Sequence, residues 1–238
     1  MTKKGKLYLL PAPLGDESVH TIPTYVVERL HQLDVFIAER AKTARQFIKR
    51  TDPVKPFAAL TFYELNKRTT PAQRNTFLDD ADAGTDVGLL SEAGCPGVAD
   101  PGAAIVELAH RKGIEVVPLV GPSSILLVLM ASGMNGQRFC FHGYLSPKRN
   151  ELAKELRKLE QESRRHQQTQ IFIETPYRNQ QILETALKTL DARTRFCAGA
   201  DLTHQTEWIR SASIHDWNQE PLPDLHKRPA IFCLQAKK

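Results

Sequence analysis

Ser91-Glu-Ala-Gly-Cys-Pro-Gly-Val-Ala-Asp-Pro-Gly102 holds three glycines, two prolines, a single thiol and only two charged side chains, Glu92 and Asp100. It follows Val87-Gly-Leu-Leu90, a short apolar run that reads as a buried strand. Behind it come Ile105, Val106, Leu108 and Ala109, which fall on one face of a helix over 103–112. A loop with so few side chains, at the carboxyl end of a strand, lets a ligand press directly on the main chain. The plainer reading is an ordinary strand-to-helix turn, since Gly and Pro punctuate many loops. Its length and Gly/Pro density, and its echoes elsewhere in the chain, favour a binding role.

Working outward, the same small-residue chemistry recurs at Pro11–Asp16, at Val120–Ser124 and, with a proline, at Glu174–Arg178. Each follows an apolar run. Leu7–Leu10 reads as the first strand, Asp34–Ala38 as the second, Val54–Leu60 as the third and Ile114–Leu119 as the fifth. Helical spacing predicts a helix with Ile22, Val26, Leu30 and Leu33 on one face, Thr21 as its cap and Pro23 in its first turn. Further helices are expected over Thr43–Lys49 and Pro71–Ala83. Strand and helix alternate to this point, which argues for a parallel α/β sheet.

Beyond Ser132-Gly-Met-Asn-Gly136 the pattern restarts. Strands are expected at 138–142, 170–173, 195–200, 207–211 and 230–234. A long helix over 150–165 buries Leu152, Leu156 and Leu159, and a second helix spans 180–190. Two of these strands are too close in sequence for a helical crossover, so the second sheet should be mixed. The expected architecture is two α/β domains, 1–119 and 120–238. The first sheet is mostly parallel and the second mixed. Loops at the carboxyl edges meet at a ligand cleft between the domains.

Composition narrows the classes. Over 238 residues, 41% hydrophobic and 25% charged content are those of a soluble globular protein. The longest apolar run, Ile125–Ala131, falls far short of the about 20 residues that cross a bilayer, and Leu7–Leu10 is too short for a signal-peptide core. A cytoplasmic location with no membrane partner is expected. Cys95, Cys140, Cys197 and Cys233 show no paired spacing, which argues against a zinc site or a disulfide framework. Loops this poor in side-chain donors suit a ligand held by main-chain groups and not a multidentate metal. The net charge of +5 is compatible with a polyanionic partner such as RNA, and much of the excess lies in 148–165. Neither a Gly-x-Gly-x-x-Gly nor a Gly-x-x-x-x-Gly-Lys-Ser/Thr loop is present, and Ser123-Ser124 is no nucleophile elbow. Those serines read equally as a helix cap.

Taken together, Pro11-Ala-Pro-Leu-Gly-Asp16, the 91–102 loop, Val116-Val-Pro-Leu-Val-Gly-Pro-Ser-Ser124 and Glu174-Thr-Pro-Tyr-Arg178 resemble the successive motifs of the tetrapyrrole methylase superfamily. They are most similar to the branch that methylates a cytidine 2′-hydroxyl of small-subunit (16S) ribosomal RNA. The likeness covers nearly the whole chain, in order. It implies two αβα domains, S-adenosylmethionine as cofactor, the small ribosomal subunit or its RNA as partner, and a homodimer. Carried over by position, Leu14, Gly94, Cys95, Val98, Ser123 and Ser124 would line the cofactor site. Leu202 and the Pro229-Ala230 pair would close over the adenosine. Asp16, Glu39, Tyr177 and Arg178 fall in motifs facing the substrate; Arg178 and Lys148-Arg149 are candidate phosphate contacts, or simply solvated surface charge.

A sulfonium methyl is already activated, so the acceptor needs placement, and a ribose hydroxyl also needs help losing its proton. Glu39 and Asp16 are the candidate catalytic carboxylates, for taking that proton or for orienting the substrate; either could instead cap a helix. His142 and His204 read as packed, hydrogen-bonded histidines.

The chain departs from that branch in several places. The second strand ends Ala38-Glu-Arg-Ala-Lys42 where Ala-Glu-Asp-Thr-Arg is usual, and Tyr63-Glu-Leu-Asn66 replaces His-Glu-His-Asn. Glu92 and Cys95 stand where Asp and Thr are common, and the short C-terminal extension of many members is expected to be lacking. These changes fall mostly on the substrate side. Methylation of another acceptor, such as a tetrapyrrole carbon or a protein, therefore stays open, as does a cofactor-binding module without catalysis.

Overall fold

In the computed structural model, which describes residues 3–237, the chain divides into two units, Met1–Ser123 and Ser124–Lys238. The first carries β1 (Lys6–Leu10), β2 (Val35–Ala38), β3 (Thr61–Glu64), β4 (Val87–Leu90) and β5 (Glu115–Pro118). They form one sheet in the order β3-β2-β4-β1-β5, with every pairing among the described residues parallel. α1 (Thr24–Gln32), α2 (Ala41–Lys49), α3 (Pro71–Thr76), α4 (Asp79–Asp82) and α5 (Ala103–Lys112) connect them. Because the strands are parallel, the loops after β1, β2, β4 and β5 all leave from the same edge.

β2 and β4 are buried at every position, as strands covered on both faces must be. One core lies around Leu7, Ile37, Leu89 and Ile105. Another, on the opposite strand faces, gathers Leu10, Val26, Phe36 and Phe47.

Three sequence expectations are corrected here. Thr21 does not cap α1. It ends a single 3-10 turn and its hydroxyl donates to Ser18 O (2.6 Å), while Ile22, constrained by Pro23, is extended, so the helix begins only after the proline. The third strand is not 54–60. Pro53 and Pro56 lack the N–H that a ladder requires, and the chain forms a short 3-10 turn at Phe57–Ala59 before Thr61 enters register opposite Val35. The helix expected over 71–83 is two, α3 and α4, broken where the core admits Phe77 and Leu78.

The second unit carries α6 (Ser124–Ser132), β6 (Phe139–Tyr144), α7 (Arg149–His166), β7 (Thr169–Glu174), α8 (Asn179–Thr189), β8 (Arg195–Ala200), β9 (Trp208–Ser213), α9 (Ile214–Trp217) and β10 (Ala230–Gln235). Its sheet, β6-β7-β10-β8-β9, pairs β6 with β7 in parallel and the remaining neighbours antiparallel: it is mixed. Leu152, Leu156 and Leu159 of α7 pack with Phe172, Phe196, Trp217 and Phe232. Among the described residues no helix is long and apolar enough to cross a membrane.

Candidate functional site

Three of the small-residue loops meet at the carboxyl edge of the first sheet. Ala12 and Gly94 exchange both main-chain hydrogen bonds (2.9 and 3.0 Å), which ties the loop after β1 to the loop after β4. Gly94 holds this position at φ +73°, a conformation that any side chain would strain, and the Ser91 hydroxyl donates to its carbonyl (2.7 Å). The loop after β5 is tied in by the Cys95 thiol, which donates to Pro122 O at 3.5 Å. Gly121 lies so close that a Cβ there would come within 2.2 Å of Pro11 Cβ. The approach of these three loops therefore depends on side chains that are missing.

The far half of the 91–102 loop is knotted around one carboxylate. Asp100 accepts from the N–H groups of Gly97 (2.7 Å) and Gly102 (2.8 Å). Burial pushes its carboxyl above the usual range; the two N–H bonds pull the other way, and the nearby Glu39 adds to the rise.

Glu92 is raised too, by burial first and then by Glu39, against the Arg40 charge and the stabilising hydrogen bonds from the Thr43 hydroxyl and the Arg40 N–H. The Ala41 N–H donates to Glu64 Oε1 (2.9 Å). The first N–H groups of α2 are thus satisfied by carboxylates from neighbouring strand ends, where they also meet the positive end of the helix dipole.

Beside these groups lies a cavity of about 240 Å³, lined by the loop after β1, by α2 and by Leu90, Ser91 and Glu92. Asp16 forms part of it and is ion-paired with Arg50 at 2.7 Å. No group of three or more His, Cys, Asp or Glu among the described residues could hold a metal ion.

Residues 6–216 match the model of the Tetrapyrrole (Corrin/Porphyrin) Methylases. The chain belongs to the tetrapyrrole methylase family. A relative from Bacillus subtilis (strain 168), named ribosomal RNA small subunit methyltransferase I, is 31% identical over 219 residues, covering 91% of this chain and 71% of its own length. A relative of the same name from Buchnera aphidicola subsp. Schizaphis graminum is 28% identical over 241 residues, covering 100% and 81%. Among solved structures, the methyltransferase CobJ superposes with a TM-score of 0.63 at 20% identity, over 98% of this chain and 94% of that one. The cobalt precorrin-4 methyltransferase CbiF gives 0.61 at 14%, over 97% and 94%, so the fold is that of these enzymes.

Within this tetrapyrrole methylase the residues singled out from sequence fall as follows. Gly94 and Cys95 stand in the three-loop contact with Leu14 beside them, and Val98 projects from the same loop, 48% exposed. Glu39 is half-buried at the carboxyl end of β2, near Glu92 and Asp100. Ser123 and Ser124 are half-buried at the junction of the two units.

In the second unit, Leu202 is buried just after β8, and the Asp201 N–H donates to Pro229 O (2.9 Å). With Ala230 opposite Ala200 in the ladder, the sheet joins positions that lie far apart in sequence.

The cations proposed for phosphate are already engaged. Arg178 is paired with the buried Glu174 at 2.5 Å, and the exposed Lys148 with Glu151 at 3.0 Å. Tyr177 is 70% exposed, edge-on to His226. His142 pairs with Gln170 Oε1 at 2.6 Å.

Sequence reading passed over the polar lining of the cavity. Thr43, Gln46 and Arg50 come round one face of α2 at helical spacing, a signal present in the sequence. That Glu92 and Asp16 face them depends on how the strands pair.

Proposed function

We propose that this methyltransferase takes its methyl group from S-adenosylmethionine and places it on a cytidine ribose 2′-hydroxyl of 16S ribosomal RNA. The carrying observation is the likeness, over nearly the full chain, to relatives named ribosomal RNA small subunit methyltransferase I.

The residues present suit the cofactor. A Cβ at Gly94 would lie 3.5 Å from both Leu14 Cδ2 and Pro122 O, so the glycine leaves open a cradle that a side chain would fill. Leu14 and Val98 offer apolar surface to an adenosine, while main-chain groups of the 91–102 and 120–124 loops, with Ser123 and Ser124, offer its polar partners. Leu202, Pro229 and Ala230 are assigned to the adenosine in the second unit. When bound, the cofactor supplies a methyl group on a sulfonium, activated for in-line transfer.

The protein's own part is to position the hydroxyl and accept its proton. Glu39 is the better supported acceptor of the two candidates, because the Asp16 carboxylate already pairs with Arg50. Tyr177 could stack on an RNA base, and Lys148 could exchange its exposed pairing with Glu151 for a phosphate. A cytoplasmic homodimer acting on the assembled small subunit completes the reading.

Calorimetry with S-adenosylmethionine, followed by transfer of labelled methyl to 30S subunits and to naked 16S RNA, tests it. Binding together with 2′-O-methylcytidine in the digested RNA is expected. Tight binding with no transfer to any RNA overturns the RNA reading and favours another acceptor or a non-catalytic module. No binding overturns the methyltransferase reading itself.

A further inference from the structure

Of the side chains assigned to the cofactor above, only Leu14 also lines the cavity between the loop after β1 and α2, and the other side chains there have a different chemistry. At about 240 Å³ it falls below the about 300–1,000 Å³ of pockets for drug-sized ligands, so it suits one ring system. Leu14, Ala44 and Phe47 give it an apolar floor, and Glu92, Thr43 and Gln46 add hydrogen-bonding groups. Its single cation, Arg50, is paired with Asp16. Two carboxylates line it against one guanidinium that is already paired; Glu39 lies near Glu92 and Arg40 partly offsets it, so an incoming phosphate or carboxylate finds no unpaired cation in the lining. The lining calls for an uncharged, flat group that brings N–H donors.

We propose that this cavity receives one unstacked nucleobase bearing an exocyclic amine, with Glu92 accepting from that amine and Gln46 reading the adjacent ring edge. The proposal rests on the reading of RNA as the substrate. Sequence-specific recognition of RNA commonly targets unstacked bases and reads their exposed edges by hydrogen bonds. A glutamate accepting from the cytosine amine is an established pairing, whereas a uracil would set its O4 acceptor against the same carboxylate.

The test uses the full chain with 30S subunits lacking the modification, and with subunits rebuilt so that uridine replaces the methylated cytidine. Gln46 is exposed, so Gln46→Ala should fold, and circular dichroism checks both it and Glu92→Gln. The wild type should prefer cytidine over uridine by about tenfold or more, from the worth of one well-formed base contact. Glu92→Gln, whose amide can match either base, should reduce that preference to within about threefold. Gln46→Ala should raise KM for the subunit several-fold and leave the calorimetric affinity for S-adenosylmethionine unchanged.

An active wild type whose KM and base preference survive both substitutions overturns the proposal. So does a loss of cofactor affinity in either variant, which would assign the cavity to the cofactor. A wild type that binds the cofactor and methylates no RNA removes the underlying reading instead, and is distinguishable because no variant need be made.

Discussion

Gly121→Ala is the most direct probe of the three-loop cradle. The added Cβ would stand 2.2 Å from Pro11 Cβ and 2.3 Å from Pro11 Cγ. Relaxed carbon–carbon contacts lie at about 3.5–4.0 Å, so the loops must separate by roughly 1.3–1.8 Å. Pro11 cannot rotate away: its ring is rigid and buried, and its neighbour Ala12 is held on both sides by Gly94. The Leu119 N–H is likewise bonded to Leu9 O (3.1 Å), which fixes the start of the other loop. Overpacking of this kind costs about 1–3 kcal/mol.

If the cofactor needs the loops at their present spacing, the same energy appears as a roughly 5- to 150-fold loss of affinity. Titration calorimetry with S-adenosylmethionine reads the affinity and circular dichroism reads thermal melting. Gly136→Ala serves as control, because a Cβ there meets nothing within 4 Å, and it should stay within about 0.5 kcal/mol of the parent. If Gly121→Ala binds the cofactor within twofold of the wild type and melts like Gly136→Ala, the cradle reasoning is wrong.

Other expectations follow from the same geometry. Arg178→Ala leaves the buried Glu174 with the Thr175 N–H as its remaining hydrogen bond and should destabilise the second unit by about 2–3 kcal/mol; adding Glu174→Gln should recover much of it. Urea unfolding followed by the fluorescence of Trp208 and Trp217, both in that unit, decides this. Because the Glu92 and Asp100 carboxyls are raised, the folded state binds protons more tightly than the unfolded chain. Each then subtracts stability as pH climbs from the ordinary carboxylate value through the raised one. The melting temperature of Glu92→Gln should therefore gain on the wild type as pH rises from the ordinary carboxylate range, and a constant difference would refute the shift. Burial also raises the Cys95 thiol, so Cys95 should alkylate more slowly at neutral pH than a free cysteine and more slowly still with cofactor bound; competition mass spectrometry would show an unprotected thiol if this is wrong.

Much of this protein was written in local patterns. Short apolar runs set β1, β2, β4 and β5 and most of the helices, and in β2 and β4 the run is continuous because burial on both faces demands it. The Gly/Pro loops announced themselves, since few other residues tolerate such a close approach of backbones. Where prolines and neighbours competed, local reading failed: Pro53 and Pro56 displaced β3, and Pro23 delayed α1 past the apparent cap at Thr21.

Only tertiary structure decided what each charged group meets. Nothing local says that Asp16 pairs with Arg50, or that Glu39, Glu92 and Asp100 share one edge of a sheet. A strand's burial is inscribed in its own side chains, but a carboxylate's role depends on which neighbours the strand order delivers, and that order is a property of the whole sheet.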